Sequence, residues 1–267
     1  MTTPTKPLAV VTGASSGIGL ELAKQFADHG FDLVIAAEDA ELISAAKQLQ
    51  ERGAEVDSVR TDLASFTGVE ELMARIEAGG RPIDAVAINA GVSVAGDVAG
   101  DTDLRALLNI INLNVTSAVH LAKRATTAMA ARRHGRVLFT SSIASTAPVP
   151  HNAVYSASKA FITSFAEALR IELKDTGVTV TTLLPGPTDT EFFERAGMED
   201  TKVGSGKKDD PAEVARQGYE ALMKGEQKVV GGSVANKAMA GVSRVLPDRV
   251  KATAQGKMHE PGSGKPD

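Results

Sequence analysis

Tyr155 and Lys159 stand four residues apart in the run Tyr155, Ser156, Ala157, Ser158, Lys159. Side chains at that separation are neighbours on a helix, so an ammonium would lie beside a phenol. A free phenol ionises only at about pH 10, which makes it a poor base in neutral water, but an adjacent cation favours the phenolate. The pair suits a general acid/base that exchanges a proton with a substrate oxygen. A surface Tyr beside a solvated Lys has the same spacing.

Three further signals lie elsewhere. Gly13, Gly17 and Gly19 follow Val10, Val11 and Thr12 in a Gly-x-x-x-Gly-x-Gly pattern, with Ala14, Ser15, Ser16 and Ile18 between them. Where a strand turns into a helix, such a loop lets a phosphate approach the backbone, meeting free N–H groups and the positive end of the helix dipole. The spacing differs from the Gly-x-Gly-x-x-Gly fingerprint, and a tight turn without a ligand fits it as well. Ser142 ends an apolar run, where a hydroxyl can hold a substrate oxygen, and Asn114 falls inside a long helical stretch where its propensity is poor. Capping or packing would account for either of these alone.

The elements that must position these groups follow from hydrophobic spacing. Short runs rich in Val, Ile and Leu at 8–11, 31–37, 54–60, 83–88, 136–141, 178–184 and 227–230 read as strands. Between them, 18–29, 40–52, 66–78, 103–132, 153–175 and 211–224 carry apolar residues at helical spacing. Strict alternation of strand and helix predicts an α/β protein, a doubly wound, Rossmann-like parallel sheet of about seven strands with helices on both faces. Ligands bind such sheets at the carboxyl ends of the strands, where the Gly-rich turn and Ser142 both fall. The Tyr155 helix is expected to bury Phe161, Phe165, Leu169 and Leu173. One domain spans 1–267; 185–210 has the character of a substrate loop, 232–267 forms a C-terminal segment, and 262–267 reads as a loose tail.

Composition narrows the function classes. Hydrophobic residues make up 43% and charged residues 23%, enough for a large core. With a net charge of -4 and no long cluster of Lys and Arg, nucleic acid is not an expected partner. No apolar run is long enough for a membrane span, and residues 1–7 lack a secretion signal, so a cytoplasmic location is expected. The absence of Cys excludes disulfides, thiol nucleophiles and thiolate metal sites, and the five His show no helical metal-ligand spacing, so no metal is expected.

The same signals, with Asp62 and Leu63 after the third strand, Asn89, Ala90 and Gly91 after the fourth, and Pro185, Gly186, Thr188 and Thr190 after the sixth, resemble in order and separation the short-chain dehydrogenase/reductase family. The resemblance runs from about residue 8 to about residue 230. It implies an oxidoreductase that transfers a hydride between a nicotinamide cofactor and a ketone or secondary alcohol. In that pattern Tyr155 exchanges the proton, Ser142 holds the substrate oxygen, Lys159 binds the nicotinamide ribose and lowers the Tyr pKa, and Asn114 positions a water linking Lys159 to solvent. The cofactor would be held by Gly13, Ser15, Ser16, Gly17, Ile18, Gly19, Glu38, Asp62, Leu63, Asn89, Ala90, Gly91, Tyr155, Lys159, Pro185, Gly186, Thr188 and Thr190. Asp62 would meet the adenine and Asn89 the adenosine side; the Thr188 backbone and the Thr190 hydroxyl would meet the carboxamide.

Two positions depart from the family pattern. Ile88 replaces an Asn, which should remove a hydrogen bond linking strands. Glu38 and Asp39 stand where users of the phosphorylated cofactor often carry Arg, and Ser16 where some carry a basic residue; a carboxylate accepts from ribose hydroxyls and repels a 2′-phosphate, favouring NAD over NADP. Substrate-facing positions are expected at Ser93, Val94, 144–151, Phe192, Phe193 and Met198, a largely apolar set, with His151 able to hydrogen-bond a polar group. The resemblance also implies a homodimer or homotetramer formed by the two long helices, where Ala118, Ala122 and Ala125 would permit close approach. Ala238, Val242, Val245 and Leu246 form an apolar face that could close over the pocket, add to a subunit interface or rest on a lipid surface, with packing against the protein's own body as the plainer reading. A catalytically silent dinucleotide sensor or scaffold on the same fold is the alternative reading.

Overall fold

The computed structural model describes residues 6–233 and 247–264. The first half runs β1 (Leu8–Thr12), α1 (Gly17–Asp28), β2 (Asp32–Ala37), α2 (Leu42–Glu51), β3 (Val56–Arg60), α3 (Phe66–Ala78) and β4 (Ile83–Ile88). The second half runs α4 (Leu104–Ile111), a π turn (Asn112–Ser117), α5 (Ala118–Arg132), β5 (Gly135–Thr140), a 3-10 turn (Ile143–Thr146), α6 (Ala153–Glu172) and β6 (Val178–Pro185). It continues through α7 (Phe192–Arg195), α8 (Lys202–Ser205), α9 (Pro211–Lys224), β7 (Lys228–Gly231) and α10 (Asp248–His259).

The seven strands form one parallel sheet in the order β3-β2-β1-β4-β5-β6-β7, the doubly wound arrangement that the alternation predicts. Strands β1 and β2 are buried at every residue, as strands covered on both faces must be. One face packs Val10, Val34, Val86 and Phe139 against α3, α5 and α6; the other packs Val11, Ile35, Ala87 and Leu138 against α1, α2 and α9. Phe26 and Phe139 are fully enclosed, and truncating either to Ala should cost about 3–5 kcal/mol.

Local signals set the helix ends. Ser65, Asp103 and Asp210 accept from backbone N–H groups at the starts of α3, α4 and α9; Pro211 opens α9, and Gly225 closes it in the left-handed region at φ 66°. The stretch expected as one helix over 103–132 is broken by the π turn containing Asn114. Asn114 Nδ2 donates to Val92 O and to Ser158 Oγ, both at 3.0 Å, and its Oδ1 accepts from Val92 N at 2.9 Å. Those bonds tie the end of β4 to α6 and give the wide turn its physical reason.

Several sequence expectations are corrected. Phe161 is 43% exposed; α6 instead buries Ser158, Lys159, Ile162 and Ala166, with Phe165 and Leu169 at the margin. Ala118, Ala122 and Ala125 are buried against the chain's own sheet and are not available for contact with a partner. The 185–210 stretch is not wholly irregular, since it holds α7 and α8. Residues 262–264 are fastened: Gly262 N donates to Asp200 Oδ2 at 2.9 Å and Gly264 N to Asp200 O at 2.8 Å. Ala238, Val242, Val245, Leu246 and residues 265–267 lie outside the described residues.

Candidate active site

A crevice of about 460 Å³ lies along the carboxyl ends of the strands. Every residue predicted from the sequence for catalysis or cofactor binding, except Asn114, is on its wall: Gly13, Ser15, Ser16, Gly17, Ile18, Gly19, Glu38, Asp62, Leu63, Asn89, Ala90, Gly91, Ser142, Tyr155, Lys159, Pro185, Gly186, Thr188 and Thr190. Asn114 sits behind the wall, where its side chain is committed to Val92 and Ser158.

The loop from β1 to α1 is shaped by what glycine permits. Gly13 has φ +63°, and a Cβ on Gly19 would stand 1.9 Å from Gly13 O, so the helix start can approach the loop only without a side chain there. Ser16 caps α1 without any side-chain hydrogen bond, whereas α3, α4 and α9 are capped by side chains. The open N–H groups of the first turn of α1, with the positive dipole end, fit a pyrophosphate. Thr12 and Asn89 lock the ends of β1 and β4 together: Asn89 N and Ala90 N donate to Thr12 Oγ1 at 3.0 and 3.1 Å, and Asn89 Nδ2 donates to Thr12 O at 3.1 Å. Ile88 is buried in the core beside this link.

At the end of β2 the two carboxylates named from the sequence stand differently. Glu38 is exposed on the crevice rim, and its carbonyl accepts from Arg60 Nε at 2.9 Å. Asp39 reaches further in: Ser15 Oγ donates to Asp39 Oδ2 at 2.8 Å, while Asp39 Oδ1 is buried without a hydrogen-bond partner. An unpartnered carboxylate oxygen beside a dinucleotide loop fits a ribose hydroxyl. Arg195 of α7 also reaches this rim, 3.8 Å from Asp39, a contact across 156 residues that no local pattern announces.

The acid/base groups come from the first turns of α6 and from the end of β5. Lys159 is 5% exposed; its Nζ lies 5.7 Å from the Tyr155 ring centroid and donates to Thr140 O at 3.0 Å. Ser142 accepts from Ala144 N at 3.1 Å through Oγ and lies close enough to the Tyr155 phenol to favour its ionised form. Burial pushes the Tyr155 phenol up to about 12, with Ser142 pulling the other way, and pushes the Lys159 ammonium down to about 8. Desolvation, not the neighbouring ammonium, sets the direction in which the phenol is displaced and leaves Tyr155 protonated at neutral pH and ready to act as an acid. Gly91 keeps the space between Lys159 and Asn114 open, since a Cβ there would stand 3.1 Å from both Lys159 Nζ and Asn114 Oδ1.

Of the positions expected to face substrate, Ser93, Val94, Phe192, Phe193 and Met198 are on the wall. Of 144–151 only Ala144 reaches it among the described residues. His151 does not: it has φ 61°, and its Nδ1 pairs with Asp97 at 2.8 Å. Sequence reasoning missed Gln255, Met258 and His259, which α10 brings to the same crevice. Their only signal was a weakly amphipathic stretch near the end of the chain.

A nicotinamide-dependent oxidoreductase is the class of protein that this fold and this acid/base site define. The chain belongs to the short chain dehydrogenase family, whose model matches residues 7–200. Among curated proteins it is 35% identical over 193 residues to a putative ketoacyl reductase of Streptomyces coelicolor, covering 71% of this chain and 74% of that protein. Among solved structures it is similar to a short-chain dehydrogenase from Sphingobium yanoikuyae in complex with NADPH, with TM-score 0.78 and 27% identity over 90% of this chain and 96% of that one. An alcohol dehydrogenase from Thermococcus sibiricus complexed with 5-hydroxy-NADP gives TM-score 0.73 and 26% identity, covering 85% and 97%. No helix among the described residues is long and apolar enough to cross a membrane.

Proposed function

We propose that the chain interconverts a hydrophobic ketone and its secondary alcohol, with Tyr155 as the proton donor and acceptor. The observation that carries this reading is a phenol held protonated by burial, beside Ser142 and backed by a buried ammonium, on the wall of a crevice that begins at an uncapped helix start. When bound, the reduced nicotinamide supplies the hydride to the carbonyl carbon. Ser142, whose Oγ accepts from Ala144 N, turns its O–H toward the substrate oxygen. As negative charge develops there, the Tyr155 O–H bond breaks, the proton passes to that oxygen and the electron pair stays on the phenolate. Lys159 faces the phenolate with its charge and would hold the nicotinamide ribose. Asn114 acts as a positioning residue, fixing Val92 and Ser158 behind the reacting groups.

The remaining cofactor contacts are assigned to the loop Gly13 to Gly19, to Asp62, Leu63, Asn89, Ala90 and Gly91, and to Pro185, Gly186, Thr188 and Thr190. Two carboxylates at the end of β2, Glu38 and Asp39, favour NAD over NADP. Bound NADPH and 5-hydroxy-NADP in the two solved relatives favour the other choice for those proteins, so affinities for both reduced nucleotides decide it; Glu38→Arg should raise NADPH affinity if the charge argument holds.

The same proposal takes the chain as one cytoplasmic domain, with 185–210 as its substrate loop. It acts on a small molecule without a nucleic-acid partner and works as a homodimer or homotetramer, for which exposed Leu104, Leu108 and Ile111 on α4 and Phe161 on α6 supply an apolar face. The test is turnover of ketones with NADH and NADPH, and of secondary alcohols with the oxidised forms, by wild type and Tyr155→Phe. Loss of at least 10³ in kcat/KM is expected for the variant. Tight nucleotide binding with no substrate that distinguishes the two proteins would leave a catalytically silent sensor.

A further inference from the structure

Part of the crevice wall is made by α10, which is far in sequence from both the dinucleotide loop and the acid/base pair. The helix lies over the segment joining Ser142 to Tyr155: Lys251 Nζ donates to Thr146 O at 3.2 Å, and a Cβ on Gly256 would meet the Pro150 ring at 3.3 Å. Its far end is pinned by Asp200, which accepts from Gly262 N and Gly264 N, and by Ser263 Oγ, which accepts from Lys202 N at 3.0 Å. His259 is thereby held among substrate-side groups, sharing the wall with Met258, Met198 and Phe193.

The state of the ring follows from the one hydrogen bond it makes among the described residues. His259 is 8% exposed, and its Nδ1 lies 2.9 Å from Gln255 O. A carbonyl oxygen only accepts, so Nδ1 carries the proton and Nε2 keeps a lone pair. Burial holds the imidazole below its ordinary range; the Gln255 carbonyl opposes this and the neighbouring His151 adds to it, so the ring is neutral at pH 7. The titratable groups nearby are otherwise engaged, His151 with Asp97 and Lys251 with Asp248.

We propose that His259 determines substrate specificity by accepting, at Nε2, a hydrogen bond from an uncharged donor, a hydroxyl, carried by a hydrophobic ketone away from its carbonyl. The proposal rests on the ketone-reductase reading above and sharpens its substrate class. A lone acceptor in apolar surroundings is stabilised only by a partner that brings a hydrogen. A ketone without one desolvates Nε2 and leaves it unpaired, and a carboxylate sets lone pair against lone pair.

The experiment uses the full chain and three ketones of one skeleton, bearing at the far end a hydroxyl, a methyl or a carboxylate. The readout is the ratio of kcat/KM values between them, with NADH affinity followed in parallel by fluorescence titration. Wild type should favour the hydroxyl ketone over the methyl ketone by roughly tenfold, the size of one such bond. His259→Asn keeps a donor for Gln255 O but withdraws the Nε2 acceptor, and the ratio should fall to about one; His259→Gln returns an acceptor near that place and should recover part of it. NADH affinity should hold within about twofold in both variants, which shows that they fold. Equal losses on all three ketones, or a wild-type preference for the carboxylate, would overturn the proposal alone. Absence of turnover with every ketone despite NADH binding would overturn the reductase reading and this proposal together.

Discussion

Replacing Lys159 with Met should make the protein more stable and far less active. Burial draws the ammonium from 10.5 to about 8, and keeping it charged at neutral pH therefore costs the folded state about 3 kcal/mol. Below pH 8 both folded and unfolded chains hold the proton and the cost stands in full. Between about 8 and 10.5 the unfolded chain binds a proton that the folded one has released, so stability rises with pH across that window. Met removes the charge at similar length but forfeits the hydrogen bond to Thr140 O, which takes back about 1 kcal/mol. A net gain of about 2 kcal/mol remains at pH 7, roughly 4–8 °C in Tm for a chain of this size. Activity moves the other way. At 5.7 Å from the phenol ring, a unit charge is worth about 3 kcal/mol to the phenolate in an effective dielectric of about 20. Its loss should lower kcat/KM about a hundredfold. Urea denaturation at pH 7 and pH 10 measures the first effect, and the pH profile of ketone reduction the second: wild type should lose activity above about pH 8, as Lys159 discharges, while Lys159→Met shows no such limb. A variant less stable than wild type at pH 7, or one that keeps the limb near pH 8, would refute the reasoning.

Other substitutions probe the parts separately. Gly19→Ala places a Cβ against Gly13 O and should weaken dinucleotide binding at least tenfold, read by NADH fluorescence; unchanged affinity would mean that the loop is not the cradle described. Asn114→Ala strips partners from both polar groups of Val92 and should cost about 2–3 kcal/mol in chemical denaturation, and a loss under about 0.5 would deny the π turn its anchoring role. Because His259 is held below its ordinary range of 6.5, the unfolded chain takes up a proton first as pH drops, so stability should decline below about pH 6.5. His259→Gln should flatten that slope relative to wild type, and parallel curves for the two proteins would contradict the burial of a neutral ring.

The seven strands were legible because a parallel sheet buried on both faces demands runs such as Leu33 to Ala37, which nothing but a strand or a short core helix explains. The Tyr155 and Lys159 pair was legible for the opposite reason, since both residues sit on one helix and their spacing is local. Phase along that helix was not: the apolar count favoured Phe161, but the sheet selects the side that carries Lys159 and Ile162, and a buried charge does not look like core in a sequence. The π turn was hidden because its cause, Val92 and Ser158, lies 22 and 44 residues from Asn114. The same distance argument covers Arg195 at the Asp39 rim and the α10 wall, whose side chains acquire their tasks only when far parts of the chain meet. The sign of the Tyr155 displacement also depended on enclosure, which no spacing measures.

The strand order carries a consequence for the birth of the molecule. Synthesis lays β1 first and adds β2 and β3 to one side; every later strand then extends the opposite side, each onto its predecessor except β4, which returns to β1. A partly made chain that has reached β4 therefore presents the bare hydrogen-bonding edge of Ile83–Ile88 to its surroundings while the ribosome works through α4 and α5, before β5 arrives to cover it. Chaperone engagement should be concentrated in that interval. Among the described residues the finished sheet has short margins, a four-residue β7 on one side and on the other a five-residue β3 that carries Asp57 and Arg60, features that discourage edge-to-edge pairing.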